Sequence, residues 1–421
     1  MKELKKIIYI ALLVVLFSGS IWGIEIPFFL KYGIGILIST LCILPQILKD
    51  KKIKGHEYFC LKTYLLPIIL IVLWSFLIWI ISPPENLSLS NVTRMFSNCL
   101  NLILSITVAI STIKVLGKDA VKYSVIAIAI SIIINILYTI SVYGIGLFLE
   151  YIPQAAFSTD FQYGSDLFNI GVQLEVQDAT LAAGFYFLYF ILFDEKSVKK
   201  EKIKYLLILS FCSYIGFKRT QFLSIILTIC ILLLMKKFKV KNIIRIVGTT
   251  FLIFCFGYVC IVKFDIFSDI VNLLGADVTG RTNIFKWLSE YFELSILYIG
   301  KGFTYVDKTM FELTGFASHN TIVRMYAELG CIPFIIWLYW YLIKIPKKVL
   351  KKQGNTAGKI TFACVLYLFL TYCIGNSMNF FCIQYSFILI QLALIYNENN
   401  KVREIEGENN ENCDFINAKS I

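Results

Sequence analysis

The sequence predicts an all-α polytopic membrane protein of about twelve membrane-crossing helices (10–13), with a large outer loop that holds amphipathic helices. Three observations carry that prediction. Hydrophobic residues make up 58% of the 421-residue chain and charged residues only 16%, against roughly a quarter charged in a soluble domain; mean hydropathy is +0.73. The apolar runs continue for roughly twenty residues, as a bilayer-crossing helix needs, without the ten-residue alternation of a barrel. Basic clusters separate the runs on alternate sides, which is how loop charge sets membrane orientation.

The elements follow in order. The chain opens M-K-E-L-K-K before an apolar run that is long for a signal sequence and closes on no A-x-A site, so Ile7–Ile24 is read as an uncleaved first span. Phe28–Leu48, Tyr64–Ser82, Met95–Ile113 and Tyr123–Tyr143 follow, then Ala179–Phe193, Ile203–Phe217, Phe222–Met235 and Ile243–Val262. Ile332–Ile345, Ile360–Ile374 and Ser386–Tyr396 complete the set. Residues 1–396 thus form one transmembrane domain, and 397–421 a polar cytoplasmic tail.

Orientation comes from Lys and Arg. With the N-terminus inside, the inner loops are K-D-K-K-I-K from Lys49, K-V-L-G-K-D-A-V-K from Lys114, D-E-K-S-V-K-K-E-K-I-K from Asp194, K-K-F-K-V-K from Lys236 and K-I-P-K-K-V-L-K-K from Lys344. All are basic, whereas the stretch from Glu150 to Asp178 on the other side has no Lys or Arg. Both termini then face the cytoplasm. The net charge of +12 is explained by these clusters, so no nucleic-acid partner is expected. The twelve cysteines are scattered, without C-x-x-C or zinc spacing, and read as small packing residues.

Two outer segments are too long for turns: a smaller one, 144–178, which contains Asp178, and a larger one, 264–331. The larger carries T-G-R-T around Arg281, G-K-G-F around Lys301, and S-H-N-T-I-V-R-M-Y-A-E-L-G from Ser318 to Gly330. His319 is one of two histidines; the other, His56, lies in a basic inner loop and reads as surface. A helix is expected over Thr321–Leu329, started at Ser318 or His319 and ended by Gly330. Asn320, Arg324 and Glu328, four residues apart, would share its polar face; Ile322, Met325 and Leu329 would lie at the membrane interface. At the outer end of another span, Lys218 and Arg219 break the positive-inside pattern, as snorkelling anchors or as ligands for an anion.

An outer site with Arg281, Arg219, Lys218, Lys301 and Arg324 suits a phosphate-bearing lipid, because arginine matches phosphate oxygens with a planar fork and stays charged in a poor dielectric. No D-x-D motif occurs, so cations rather than a metal are expected to stabilise an expelled diphosphate. His319, or a carboxylate such as Glu328, Asp178 or Glu175, would take the proton from an acceptor hydroxyl. No cofactor is expected. The aromatic residues Trp287, Tyr291, Tyr298, Phe311 and Phe316 form either an interfacial belt or a sugar-stacking surface.

The run H-N-x-x-V-x-x-x-x-E-x-G, from His319 through Glu328 to Gly330, resembles the H-N-x-x-L…E-x-G signature of the bacterial O-antigen ligase/polymerase superfamily. T-G-R-T before the amphipathic stretch Ile284–Phe292, G-x-G-F, and a basic turn recur there in the same order; the turn departs from the family, being Lys218-Arg219-Thr220 where S-R-[GT] is common. The sharp part of the resemblance is residues 279–330. It implies a metal-independent membrane glycosyltransferase working outside the cytoplasmic membrane of a bacterium, with an undecaprenyl-diphosphate-linked oligosaccharide as donor. Its surroundings would be membrane lipids, and a flippase and a chain-length regulator are the protein partners it implies. By position, Arg281 and Arg219 would bind the diphosphate, and His319 would assist the acceptor or orient the leaving group.

The polymerase branch passes the growing glycan to a second lipid-linked repeat unit, and the ligase branch passes it to lipid A-core. The richness in Lys, Ile, Asn and Phe leans towards a polymerase of O-antigen, capsule or exopolysaccharide. A lipid-linked sugar flippase or other transporter is the rival class; against it, charges within the spans are scarce, where transporters place ionisable sites near mid-bilayer.

Overall fold

The apolar runs are helices. The computed structural model describes residues 2–18, 20–50, 55–157, 177–193, 199–216, 219–234, 236–274, 281–315 and 317–396. Helix α1 (Lys2–Phe17) is followed by a two-residue hairpin, β1 (Ser20–Ile21) paired antiparallel with β2 (Ile24–Glu25). Trp22 and Gly23 at its tip both have positive φ, which a two-residue hairpin turn demands. The first apolar helix therefore ends at Phe17, short of the expected Ile24, because the chain reverses in the hairpin at Trp22–Gly23.

Next come α2 (Phe28–Asp50), α3 (Gly55–Cys60), a π turn at Leu61–Leu65, and α4 (Leu66–Ile81). Helix α5 (Leu89–Leu116) starts where the Ser88 N–H donates to Asn91 Oδ1 at 2.9 Å, the return half of a capping box. It stops at Gly117, φ +62, and a single 3-10 turn leads into α6 (Ala120–Phe157). Then follow α7 (Gln177–Leu192), α8 (Lys199–Gly216), α9 (Arg219–Leu234) and α10 (Val240–Lys263).

The long loop holds four short helices: α11 (Ile266–Leu274), α12 (Arg281–Glu290), α13 (Tyr305–Thr314) and α14 (Thr321–Leu329). Helix α14 spans Thr321–Leu329 as its sequence predicts, with Gly330 (φ +81) behind it, but its N-cap is Asn320 and not Ser318 or His319. Helix α15 (Cys331–Tyr339), a second π turn at Trp340–Lys344, α16 (Ile345–Ile374) and α17 (Phe381–Tyr396) close the chain. At Gly354, φ +80, α16 breaks: a Cβ on Gly358 would stand 2.8 Å from Leu350, eight residues back, whereas a straight helix would separate them by about 12 Å. The chain turns back on itself there.

Glu57–Ile81, Leu89–Glu150, Val240–Lys263 and Cys331–Ile374 are long and apolar enough to cross a membrane, and Phe29–Leu44, Ala179–Leu192, Thr220–Leu234 and Phe381–Tyr396 are shorter apolar helices. Residues 381–395 are buried throughout, so α17 lies at the centre of the bundle. Large apolar side chains instead face outward on other helices, among them Phe29, Leu73, Ile80, Leu207, Leu234 and Ile253. An apolar centre inside an apolar exterior is what a lipid solvent selects and water does not.

One clasp fixes the functional end. The last four carbonyls of a helix lack partners within it, and in α14 each finds one. Gly330 N–H donates to Tyr326 at 2.9 Å; Lys301 N–H and the Tyr298 hydroxyl donate to Ala327 at 3.0 and 2.7 Å; Gly302 N–H donates to Glu328 at 2.8 Å; and the Trp74 indole donates to Leu329 at 2.9 Å. Residues 298–302 can run this close because Gly300 and Gly330 have no Cβ. One placed on Gly300 would overlap the Glu328 carbonyl oxygen, and one on Gly330 the backbone of Tyr298 and Ile299. Both sit at positive φ, +92 and +81, which adds strain to any L side chain there. Helix α4 holds the segment from behind: the Trp79 indole donates to Lys301 O at 2.8 Å, and Phe303 N–H donates to Ser75 Oγ at 2.9 Å.

Either Gly300→Ala or Gly330→Ala is expected to lower stability by several kcal/mol, roughly 3 or more, while Gly315→Ala, which meets open space, loses less. Thermal unfolding of the detergent-solubilised variants checks this; equal midpoints for Gly300→Ala and Gly315→Ala would contradict the clasp.

Candidate functional site

Clamped at its C-terminal end by these bonds, α14 is anchored at its start as well. Asn320 Oδ1 accepts from Val323 N–H at 3.1 Å, and both the N–H and the hydroxyl of Thr321 donate to Gly375 O, at 3.2 and 2.9 Å. All nine residues of the helix are buried. This corrects the expectation that Ile322, Met325 and Leu329 lie at a membrane interface: both faces are covered, because α10, α13, α15 and α16 pack around the helix.

Burial places Arg324 and Glu328 in a closed environment, both at 0% exposure. Their atoms approach to 3.9 Å, Arg324 Nε to Glu328 Oε2. On its other side Arg324 Nη1 lies 3.6 Å from Asp307 Oδ2, a residue of α13 that the sequence reading did not single out. Asp307 is the hub. Its Oδ1 accepts from Asn376 Nδ2 at 2.9 Å and from the Ser318 hydroxyl and N–H at 3.1 and 3.4 Å; its Oδ2 stands 4.0 Å from Arg94 Nη2. Arg94 is 51% exposed and forms the solvent edge of the group.

The charges are balanced in pairs, but the hydrogen bonds are not complete. Among the described residues none accepts a hydrogen bond from Arg324 Nε, Nη1 or Nη2, and Asn320 Nδ2, Asn376 Oδ1 and Glu328 Oε2 are buried without a partner. Helix α5 adds Asn98 Nδ2 and Asn101 Oδ1 to that set. Native proteins leave few such groups, so a concentration of them marks a place built for polar work. Glu328 feels this most. Burial first, with the Asp307 carboxylate adding to it, pushes its carboxyl up to about 7; Arg324 and the N–H groups of Thr304 and Asp307 pull the other way.

The remaining expected residues are spread. His319 is exposed at the surface, on a left-handed backbone of φ +44 that is uncommon for a residue with a side chain; it directly precedes the N-cap of α14. Lys301 contributes its backbone to the clasp and, with Glu290 and Glu293, is among the residues that line a separate hollow. Arg281 and Arg219 are the first residues of α12 and α9, and Asp178 the second of α7. Their side chains, and Lys218 entirely, lie outside the described residues. Next to them, a Cβ on Gly216 would overlap Thr180, so the end of α8 touches the start of α7.

Asn320, Arg324 and Glu328 are thus brought together, and they gather Asp307, Arg94 and Asn376. A signal for Arg94 was present: Asn91, Arg94, Asn98 and Asn101 recur every three or four residues on an apolar helix, a polar stripe that lipid would reject. Asn376 and Asn379 stood in the short gap between two apolar runs. Asp307 carried no local signal, since only the fold brings it to Arg324.

Compared with known proteins, the chain matches no family model and no curated protein.

The Glu328 value sets a pH dependence. It lies above the ordinary 4.5, so the folded protein holds a proton that the unfolded chain releases. Stability is highest below about 4.5, falls as pH rises towards 7, and is level beyond, by on the order of 3 kcal/mol across the window. Unfolding midpoints from pH 4.5 to 8 should show this fall in the wild type and a flatter profile in Glu328→Gln; parallel profiles would contradict it.

Proposed function

We propose that the chain polymerises undecaprenyl-diphosphate-linked oligosaccharide repeat units by metal-independent glycosyl transfer, on the outer face of a bacterial cytoplasmic membrane. The observation that carries this reading is the convergence of three loops of one expected side on a buried, incompletely bonded polar cluster. Loop 82–88 leads into Ser90 and Arg94, loop 264–331 supplies Asp307, Ser318 and α14, and Gly375–Phe380 supplies Asn376. Ends expected on the opposite side meet one another instead: Lys114 pairs with Glu57 at 2.8 Å, and Lys348 donates to Thr63 at 3.2 Å. This sorting supports placing these two sets of loops on opposite sides of the membrane.

In this reading the acceptor hydroxyl attacks the anomeric carbon of the donor sugar. The new C–O bond forms as the bond to diphosphate breaks, and undecaprenyl diphosphate leaves with the bonding electron pair. Arg281 and Arg219 meet the charge that develops on the leaving group. His319, at the exposed start of α14, takes the hydroxyl proton. Arg324, Asp307 and Glu328 act behind it: Asp307 holds Ser318, and with it the backbone that carries His319. The ligase variant differs only in the acceptor. A transport reading draws on one observation, the buried Arg324–Asp307–Glu328 group, since ionisable residues inside a bundle also mark transport pathways.

Purified protein in detergent, given a synthetic undecaprenyl-diphosphate repeat unit without metal or nucleotide sugar, is expected to give a ladder of products. Arg281→Ala and His319→Ala should each lower the rate about 10²-fold or more. Absence of a ladder together with counterflow of the lipid in liposomes would overturn the enzyme reading in favour of a flippase.

A further inference from the structure

The clasp has an outer side as well as an inner one. Residues 298–301 also line an open hollow of about 340 Å³ that no residue of α14 lines, within the size range of small-ligand sites. Its floor is the backbone of Tyr298 to Lys301, and its walls come from the end of α12 and from Ser82 at the end of α4. Polar surface exceeds apolar surface in it. The functional side chains are Glu290, Glu293, Lys301, Ser82, Ser295 and Tyr291.

That inventory selects a ligand by exclusion. Two carboxylates face one ammonium group, so a diphosphate would meet net repulsion. A bound divalent cation is disfavoured, because among the described residues no three carboxylate, histidine or cysteine side chains gather as a metal-binding group. A purely apolar ligand would strand the carboxylates without water or partners. A hydroxyl-rich neutral or amino sugar fits all of these. Its hydroxyls donate to carboxylates and accept from Lys301 and serine, and its C–H face can lie on the half-buried Tyr291 ring.

We infer that this hollow binds the acceptor glycan through one or two neutral or amino-sugar residues. The inference rests on the polymerase reading and deepens it: the diphosphate end and the sugar end of the substrates are sorted by charge, with arginines for the first and an acidic hollow for the second. Lys301 then serves the glycan, not the diphosphate. The site is coupled to the candidate centre by backbone hydrogen bonds, because Lys301 N–H and Gly302 N–H donate to the carbonyls of Ala327 and Glu328. Glycan seated on this floor is therefore sensed at the end of α14 that carries Glu328.

The test uses the full-length protein in nanodiscs. Its retention on an array of neutral, amino and acidic oligosaccharides is compared between wild type and a Glu290→Gln/Glu293→Gln double variant, with the product ladder measured on the same preparations. Both carboxylates are exposed, so the variant's thermal midpoint should stay within a few degrees of wild type. Neutral or amino glycans should be retained by the wild type and lost at least tenfold by the variant, with no retention of acidic glycans. No retained glycan, retention of acidic glycans alone, or retention unchanged in the variant would overturn the site. A ladder with variant-insensitive retention sinks the hollow and leaves the enzyme; variant-sensitive retention with no ladder keeps the hollow and sinks the enzyme.

Discussion

A guanidinium cannot be moved from water into a protein interior without compensation. The idealised loss of solvation is on the order of 20 kcal/mol, and several remain after relaxation. Arg324 is fully buried, with carboxylates on either side at 3.6 and 3.9 Å. The Asp307 charge, joined by that of Glu328 as its carboxyl ionises around pH 7, offsets its burial, and their positions are what the rest of the outer end must maintain. Asp307 is fixed by Asn376 and Ser318, which ties α13 to the Gly375–Phe380 loop and to the turn before α14. Glu328 is fixed because it shares a helix with the arginine. Long distances to both partners leave the N–H groups of Arg324 without hydrogen bonds among the described residues, so the arginine is held electrostatically but not saturated. Such a group tolerates little change in its neighbours and has bonding capacity in reserve.

The clasp is the mechanical counterpart of that electrostatic knot. Four carbonyls at the end of α14 are satisfied from outside the helix or by Gly330, and two glycines allow the approach. Without it Asn320 would still cap the start of the helix, but its last four carbonyls would lose these partners. Its register against α4 and α10 would not be set. Glu328 and Arg324 would then lose their alignment with Asp307, which comes from a different helix. Backbone fit and charge placement are thus two aspects of one constraint.

Much of this was legible in the sequence, for definite reasons. The span of helix α14 was readable, because a 3.6-residue apolar period and Gly330 are signals carried within a dozen positions; its cap was not, since Ser318 and His319 read as the start where Asn320 serves. The apolar helices were readable because lipid selects composition over long windows; their ends were less so, as α1 shows by stopping short for a hairpin. What the sequence could not convey is where a segment folds back in three dimensions. G-K-G-F and E-L-G read as chemistry-bearing motifs, yet their glycines serve a backbone crossing between residues about thirty positions apart. The apolar face of α14 read as interfacial, because periodicity reports that a face is apolar and not what covers it. Asp307, one acidic residue in a polar loop, gains meaning only beside Arg324.

The central claim is that Arg324, Asp307 and Glu328 are one buried charge network whose members are costly only when separated. Chemical unfolding of Arg324→Met, of Asp307→Asn/Glu328→Gln, and of the triple variant measures this directly. Arg324→Met alone is predicted to lose about 3–5 kcal/mol, because it takes the buried cation from between Glu328 and Asp307 and leaves Asp307 only the half-exposed Arg94, and the triple variant to recover most of that loss. A triple variant whose loss equals the sum of its parts would contradict it.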